Sequence, residues 1–120
     1  MTLRGSQITN MTYVIDIDGT LCTLVDGNYS QAQPLRERIK KVNKLATTGH
    51  TIILHTARGM NRFEGNTFKC HSEFYLFTER QLKKWGVMYD QLIMGKPSGD
   101  YYIDDKGIND EDFFTDETCP

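Results

Sequence analysis

Two acids stand one residue apart at the end of a short apolar run, Tyr13-Val14-Ile15-Asp16-Ile17-Asp18, which Gly19-Thr20 interrupts. A second acidic pair, Asp104-Asp105, follows Tyr101-Tyr102-Ile103. Between them, Thr56 ends the run from Thr51, and Lys96 follows Leu92-Ile93-Met94-Gly95. Carboxylates gathered at one edge repel each other unless a cation sits among them. Hard oxygen donors with an open coordination sphere suit Mg²⁺, which keeps waters and takes a few carboxylates plus phosphate. A lysine and a threonine hydroxyl added to that cluster make a receptor for phosphoryl oxygens. His50, His55 and His71 form no ligand pair, and Cys22, Cys70 and Cys119 are scattered, so an imidazole or thiolate metal site does not fit. These residue types point to phosphoryl transfer.

The elements that must position them are short. Tyr13–Asp18 and Thr51–Thr56 read as buried strands, Leu92–Met94 as a third and Tyr101–Ile103 as a fourth. Pro34 opens a helix whose Leu35, Ile39, Val42 and Ala46 share one face, and Gly49 stops it. A second helix is expected from about Ser72, capped by Ser72 or a neighbour, to Trp85, with Gly86 as its stop. Its aromatics read as core packing, and Arg58 to Lys69 reads as a loop. The stretch from Leu21 to Gln33 is long enough for a flap and no more. From Ile108 the tail is acidic and either docks as a short helix or frays. Short apolar strands joined by helical crossovers imply an α/β fold, a three-layer Rossmann-like sandwich around a mostly parallel sheet. In such sheets ligands bind beyond the carboxyl ends of the strands, where all the residues above lie.

The 120 residues fit one domain, expected over 11–120, with 1–10 read as a flexible extension. A formal net charge of -2 gives no basic stripe for nucleic acid. No segment has the run of apolar residues that a membrane helix needs, and Met1–Asn10 carries no secretory apolar region. Unpaired cysteines suit a reduced, cytoplasmic setting.

The run Val14-Ile15-Asp16-Ile17-Asp18-Gly19-Thr20 resembles the first motif of the haloacid dehalogenase superfamily. Ile52-Ile53-Leu54-His55-Thr56 resembles its second, Lys96 in Gly95-Lys96-Pro97 its third, and Tyr102-Ile103-Asp104-Asp105 the two-aspartate form of its fourth. The blocks follow family order from Met11 to about Lys106. The first is specific; the second and third are common taken singly. The resemblance implies Asp16 as nucleophile and Asp18 as the acid, then base, of a phosphatase, whereas a dehalogenase lacks that second acid. It implies Mg²⁺ on Asp16, the Asp18 carbonyl and Asp105. It implies Thr56 and Lys96 on the phosphoryl group, with Lys96 paired to Asp104, and a Gly19–Thr20 turn whose backbone N–H groups face the phosphate.

Neither gap between motifs has room for a cap domain. A capless site is open, which suits large phosphates or needs a neighbouring subunit to close it, so a homo-oligomer is compatible. The whole pattern is similar to small capless phosphatases of surface-polysaccharide or phosphosugar metabolism, through Thr56-Ala57-Arg58-Gly59-Met60 and the Lys96 to Asp105 spacing. Arg58 is a candidate substrate contact or, equally, a loop-ordering ion pair. The expected substrate is a small phosphorylated metabolite, a sugar or sugar-acid phosphate. A nucleic-acid end is the alternative, and a non-catalytic phospho-ligand or partner-binding domain is a third reading.

Overall fold

The computed structural model describes residues 10–115, so the expected extension over 1–10 lies outside them apart from Asn10, as does Cys119. β-Branched and apolar runs form three strands, β1 (Thr12–Ile15), β2 (Thr51–Thr56) and β3 (Gln91–Met94). They make one parallel sheet in the order β1-β2-β3, with Val14 beside Ile53 and His55 beside Ile93. The sheet is Rossmann-like, and among the described residues no cap domain interrupts it.

Helix α1 (Arg36–Thr47) links β1 to β2 and buries Ile39 and Val42, three residues apart on one face. Its end is closed by Thr48 N–H and by Gly49 at φ +100°. Helix α2 (Thr67–Trp85) links β2 to β3 and buries Cys70, Thr78, Leu82 and Trp85. It begins five residues before the expected Ser72, because Asn66 is the cap: its Oδ1 accepts from Lys69 N–H at 3.1 Å. Gly86, left-handed at φ +74°, ends it as expected. Asn43, within α1, holds the end of α2, donating to Gly86 O and accepting from Met88 N–H, both at 2.8 Å.

Parallel-paired residues share a sheet face. Ile15, Ile52, Leu54 and Leu92 lie on one face and form a single cluster with Ile39, Val42, Leu82 and Trp85 from both helices. The opposite face carries Val14, Ile53, His55 and Ile93, half-buried to exposed, and no described helix covers it. Both crossovers advance in the same direction across the sheet, and right-handed connections then place both helices on one side.

The fourth strand expected at Tyr101–Ile103 does not form; these residues lie outside the sheet and are exposed. Beyond them α3 (Asp110–Thr115) settles what the tail does. Asn109 accepts from Glu111 N–H at its start, Arg38 pairs with Asp110 and Glu111, and Lys41 lies over the ring of buried Phe113.

Candidate active site

Parallel strands aim their last residues at one edge, and the turns there set the chemistry. After Ile15 the chain carries Asp16 past the end of β1, then turns at Gly19 (φ +83°). Ile17 O closes the turn by accepting from the N–H groups of Thr20, Leu21 and Cys22, while Gly19 N–H donates to Cys22 O at 2.8 Å. The sharp turn is as expected, but these four N–H groups serve the turn itself.

Asp16 is half-buried between two partners. Its Oδ2 accepts from the Thr20 hydroxyl at 3.2 Å, and its Oδ1 lies 3.3 Å from Lys96 Nζ. Burial raises its carboxyl above the ordinary range; the Lys96 charge and hydrogen bond oppose that, Asp18 adds to it, and Thr20 again lowers it. Lys96 reaches this position because its own N–H extends the ladder to Thr56 O at 3.0 Å, after Gly95 at φ +92°. The lysine ammonium also lies 4.3 Å from the centre of the Tyr102 ring.

Asp18 points to a different partner. Arg58 Nε donates to its Oδ2 at 2.9 Å and Nη2 to its Oδ1 at 3.0 Å, the planar pairing that only arginine makes. Arg58 is 1% exposed. Its Nη1 donates to Thr78 Oγ1 on α2 at 3.2 Å, and its guanidinium carbon sits 4.7 Å from the centre of the Tyr29 ring. Tyr29, in a 3-10 turn at Tyr29–Gln31, is itself held: its hydroxyl accepts from Gly59 N–H at 3.0 Å and its carbonyl from Gln81 Nε2 at 2.7 Å. Gly59 is required here. It has φ +83°, and a Cβ would come within 2.9 Å of the Phe74 ring. Of the two roles open to Arg58, the structure shows the ion pair, with every guanidinium nitrogen engaged inside the fold.

Thr56 is fully buried, its Oγ1 accepting from Arg58 N–H at 3.1 Å, so the structure uses it to fold the turn rather than presenting it to solvent. Asp104 does not meet Lys96. Its Oδ1 accepts from Lys106 N–H at 2.6 Å in an exposed turn, while Lys96 pairs with Asp16. Asp105 is exposed in the same turn. Asp16, Asp18, Thr20 and Lys96 are thus brought together at the sheet edge, and Asp104 and Asp105 are not.

This bears on Mg²⁺. Asp105 stays away from Asp16, and no group of three acidic, histidine or cysteine side chains able to hold a metal exists among the described residues. Within one chain, Asp105 does not join Asp16 at the sheet edge.

Tyr29 and Thr78 carry no motif and were not anticipated as parts of the site. His55 is its other unanticipated neighbour: half-buried, with its pKa lowered by burial and by Lys96, against an opposing effect of Asp16.

No protein-family model matches the chain, and no curated protein does. Among solved structures, a Vibrio cholerae protein is similar over 88% of this chain and 88% of its own, with a TM-score of 0.81 and 29% identity. A chain of the Pnkp1/Rnl/Hen1 RNA repair complex matches 78% of this chain, with a TM-score of 0.54 and 24% identity; the match spans 28% of that chain. The D,D-heptose bisphosphate phosphatase from B. bronchiseptica, solved with magnesium and phosphate, matches 77% of this chain and 52% of its own, with a TM-score of 0.51 and 20% identity. These likenesses show that the chain shares an α/β fold with them. Among the described residues, no helix is long and apolar enough to cross a membrane.

Proposed function

We propose that the protein is a phosphomonoesterase of the haloacid dehalogenase type, Mg²⁺-dependent, acting on a small phosphorylated metabolite of the sugar or sugar-acid phosphate class. The observation that carries this reading is the Asp16–Lys96 pair at the sheet's carboxyl edge, with Asp18 two residues on and separately held. A carboxylate flanked by an ammonium is a nucleophile that keeps a phosphoryl group's charge balanced as it approaches. The fold shared with a heptose bisphosphate phosphatase supports it further.

In the first step a carboxylate oxygen of Asp16 attacks phosphorus. The ester P–O bond breaks, and Asp18 gives its proton to the leaving oxygen. In the second, water attacks the acyl phosphate and gives a proton to Asp18. The P–O bond to Asp16 breaks, releasing inorganic phosphate and the free carboxylate. Lys96 stays within ion-pair reach of the attacked centre throughout, and Thr20 orients the nucleophile.

Hydrolysis of an aryl phosphate by the purified protein, with Mg²⁺ and with chelator, tests the reading. Metal-dependent turnover that Asp16→Asn abolishes is expected. Turnover that Asp16→Asn leaves intact would refute the mechanism. A second reading, a nucleic-acid-end phosphatase, draws on the likeness to a chain of an RNA repair complex. Salt-sensitive cleavage of 3′- or 5′-phosphorylated oligonucleotides in preference to sugar phosphates would favour it.

A further inference from the structure

One side of the sheet is left unfinished. β1 pairs only with β2, so its other edge is unpaired among the described residues. On the uncovered face, Val14 is 62% exposed although it lies within that strand. Every residue from Pro97 to Asn109 is exposed, and within this strap Tyr101 and Ile103 reach 86% and 94%. Aromatic and β-branched side chains favour a pleated, half-buried surface, and an open strand edge is a template for one.

The chain cannot finish its own sheet with this strap. A parallel return into the same sheet needs a crossover of about a dozen residues or more, and Gly95–Asp100 falls well short. The start of that connection is also pinned, by Lys96 N–H on Thr56 O and Lys96 Nζ near Asp16. The free edge of β1 lies on the far side of β2 from β3. An antiparallel return along β3 is within reach, but it would carry Asp104 and Asp105 to the opposite end of the sheet from Asp16. A second copy escapes this constraint. The strap's other end already lies beside β1, since α3 packs there with the Phe113 and Tyr13 ring centres 5.9 Å apart.

The geometry points to a two-fold dimer in which each chain's Tyr101–Ile103 adds as a parallel strand to the open β1 edge of the other. Main-chain hydrogen bonds supply the attraction, and the reciprocal contact closes the assembly. Asp104 and Asp105 of the second copy then arrive at the carboxyl end of β1, beside Asp16. They supply the carboxylates that one chain lacks for a divalent cation. This completion of the site rests on the phosphatase reading; the strand exchange does not.

Sedimentation equilibrium tests the exchange. The wild type is expected at twice the 13.8 kDa chain mass, and Ile103→Pro, which cannot sustain a strand ladder, at the single-chain mass with unchanged far-UV dichroism. Should that variant misfold, Ile103→Lys breaks the same contact by charging the strand. A monomeric wild type, or a dimer that neither substitution dissociates, overturns the exchange. Co-expressed Asp16→Asn and Asp105→Asn chains, each inactive alone, are expected to recover about a quarter of the wild-type turnover per chain, through the one intact site of each mixed dimer. A silent mixture from a strap-dependent dimer overturns the completion of the site. A wild type with no turnover refutes the phosphatase reading instead, and sedimentation still decides the exchange.

Discussion

Arg58 holds both carboxylate oxygens of Asp18, at 2.9 and 3.0 Å, from a position with almost no solvent exposure. A buried cation whose partner is removed, or the reverse, is left uncompensated, so Arg58→Met is expected to cost about 3 kcal/mol in denaturant unfolding. Arg58→Lys keeps the charge and loses the planar pairing. It is expected to fold yet lower kcat by about a hundredfold with KM little changed, as a misplaced acid would. Equal loss in kcat and stability for both variants would make Arg58 structural only.

Tyr29 supports that arginine from the other side. Tyr29→Phe removes the acceptor of Gly59 N–H and keeps the ring over Arg58, a loss of about 1 kcal/mol. Tyr29→Ala removes both and is expected to cost about 3 kcal/mol. Urea unfolding of the two variants separates the hydroxyl from the ring.

The strands β1 to β3, both long helices and the nearness of Asp16, Asp18 and Lys96 were legible in the sequence, because apolar runs, stop glycines and parallel topology are local signals. The supports were not. Nothing in the type or spacing of Tyr29 and Thr78 marks them, since their roles arise from a turn and a helix meeting across Arg58. The residues of Arg58's own loop left its ion-pair and substrate roles equally open, and the structure shows the ion pair. Tyr101–Ile103 has the composition of a strand, but composition does not measure the connection before it. Gly95–Asp100 is too short to return it to its own sheet as a parallel strand. The sequence points to Ser72 or a neighbour as the cap of the second long helix; Asn66 performs that task a turn and more earlier.

Asp16 should make the fold weaker at neutral pH. Its folded pKa is raised above the ordinary 3.8, chiefly by burial, so the folded state favours the protonated acid. Its contribution to stability is therefore fully present below 3.8 and is lost as pH rises through the raised value. In chelator, Asp16→Asn is expected to unfold at a higher temperature than wild type at pH 7, and the gap should close below the carboxylate range. A gap that widens in acid would reverse the sign of this effect.

Cys22 and Cys70 should be inert in the native protein. Both are buried, and burial followed by the Asp18 charge pushes the Cys22 thiol up to about 12. Alkylation at pH 8 followed by peptide mass spectrometry is expected to leave both unmodified until denaturant is added. Native labelling of Cys22 would mean that the Arg58–Tyr29 cluster opens.

The most direct test of the account is rapid acid quenching of the enzyme during turnover of a radiolabelled phosphate ester, with the protein-bound label mapped by peptide. A hydroxylamine-labile phosphate on the peptide carrying Asp16, absent in Asp16→Asn, is the result the account predicts. Turnover with no bound phosphate under conditions that trap acyl phosphates, or label on a different residue, would contradict it.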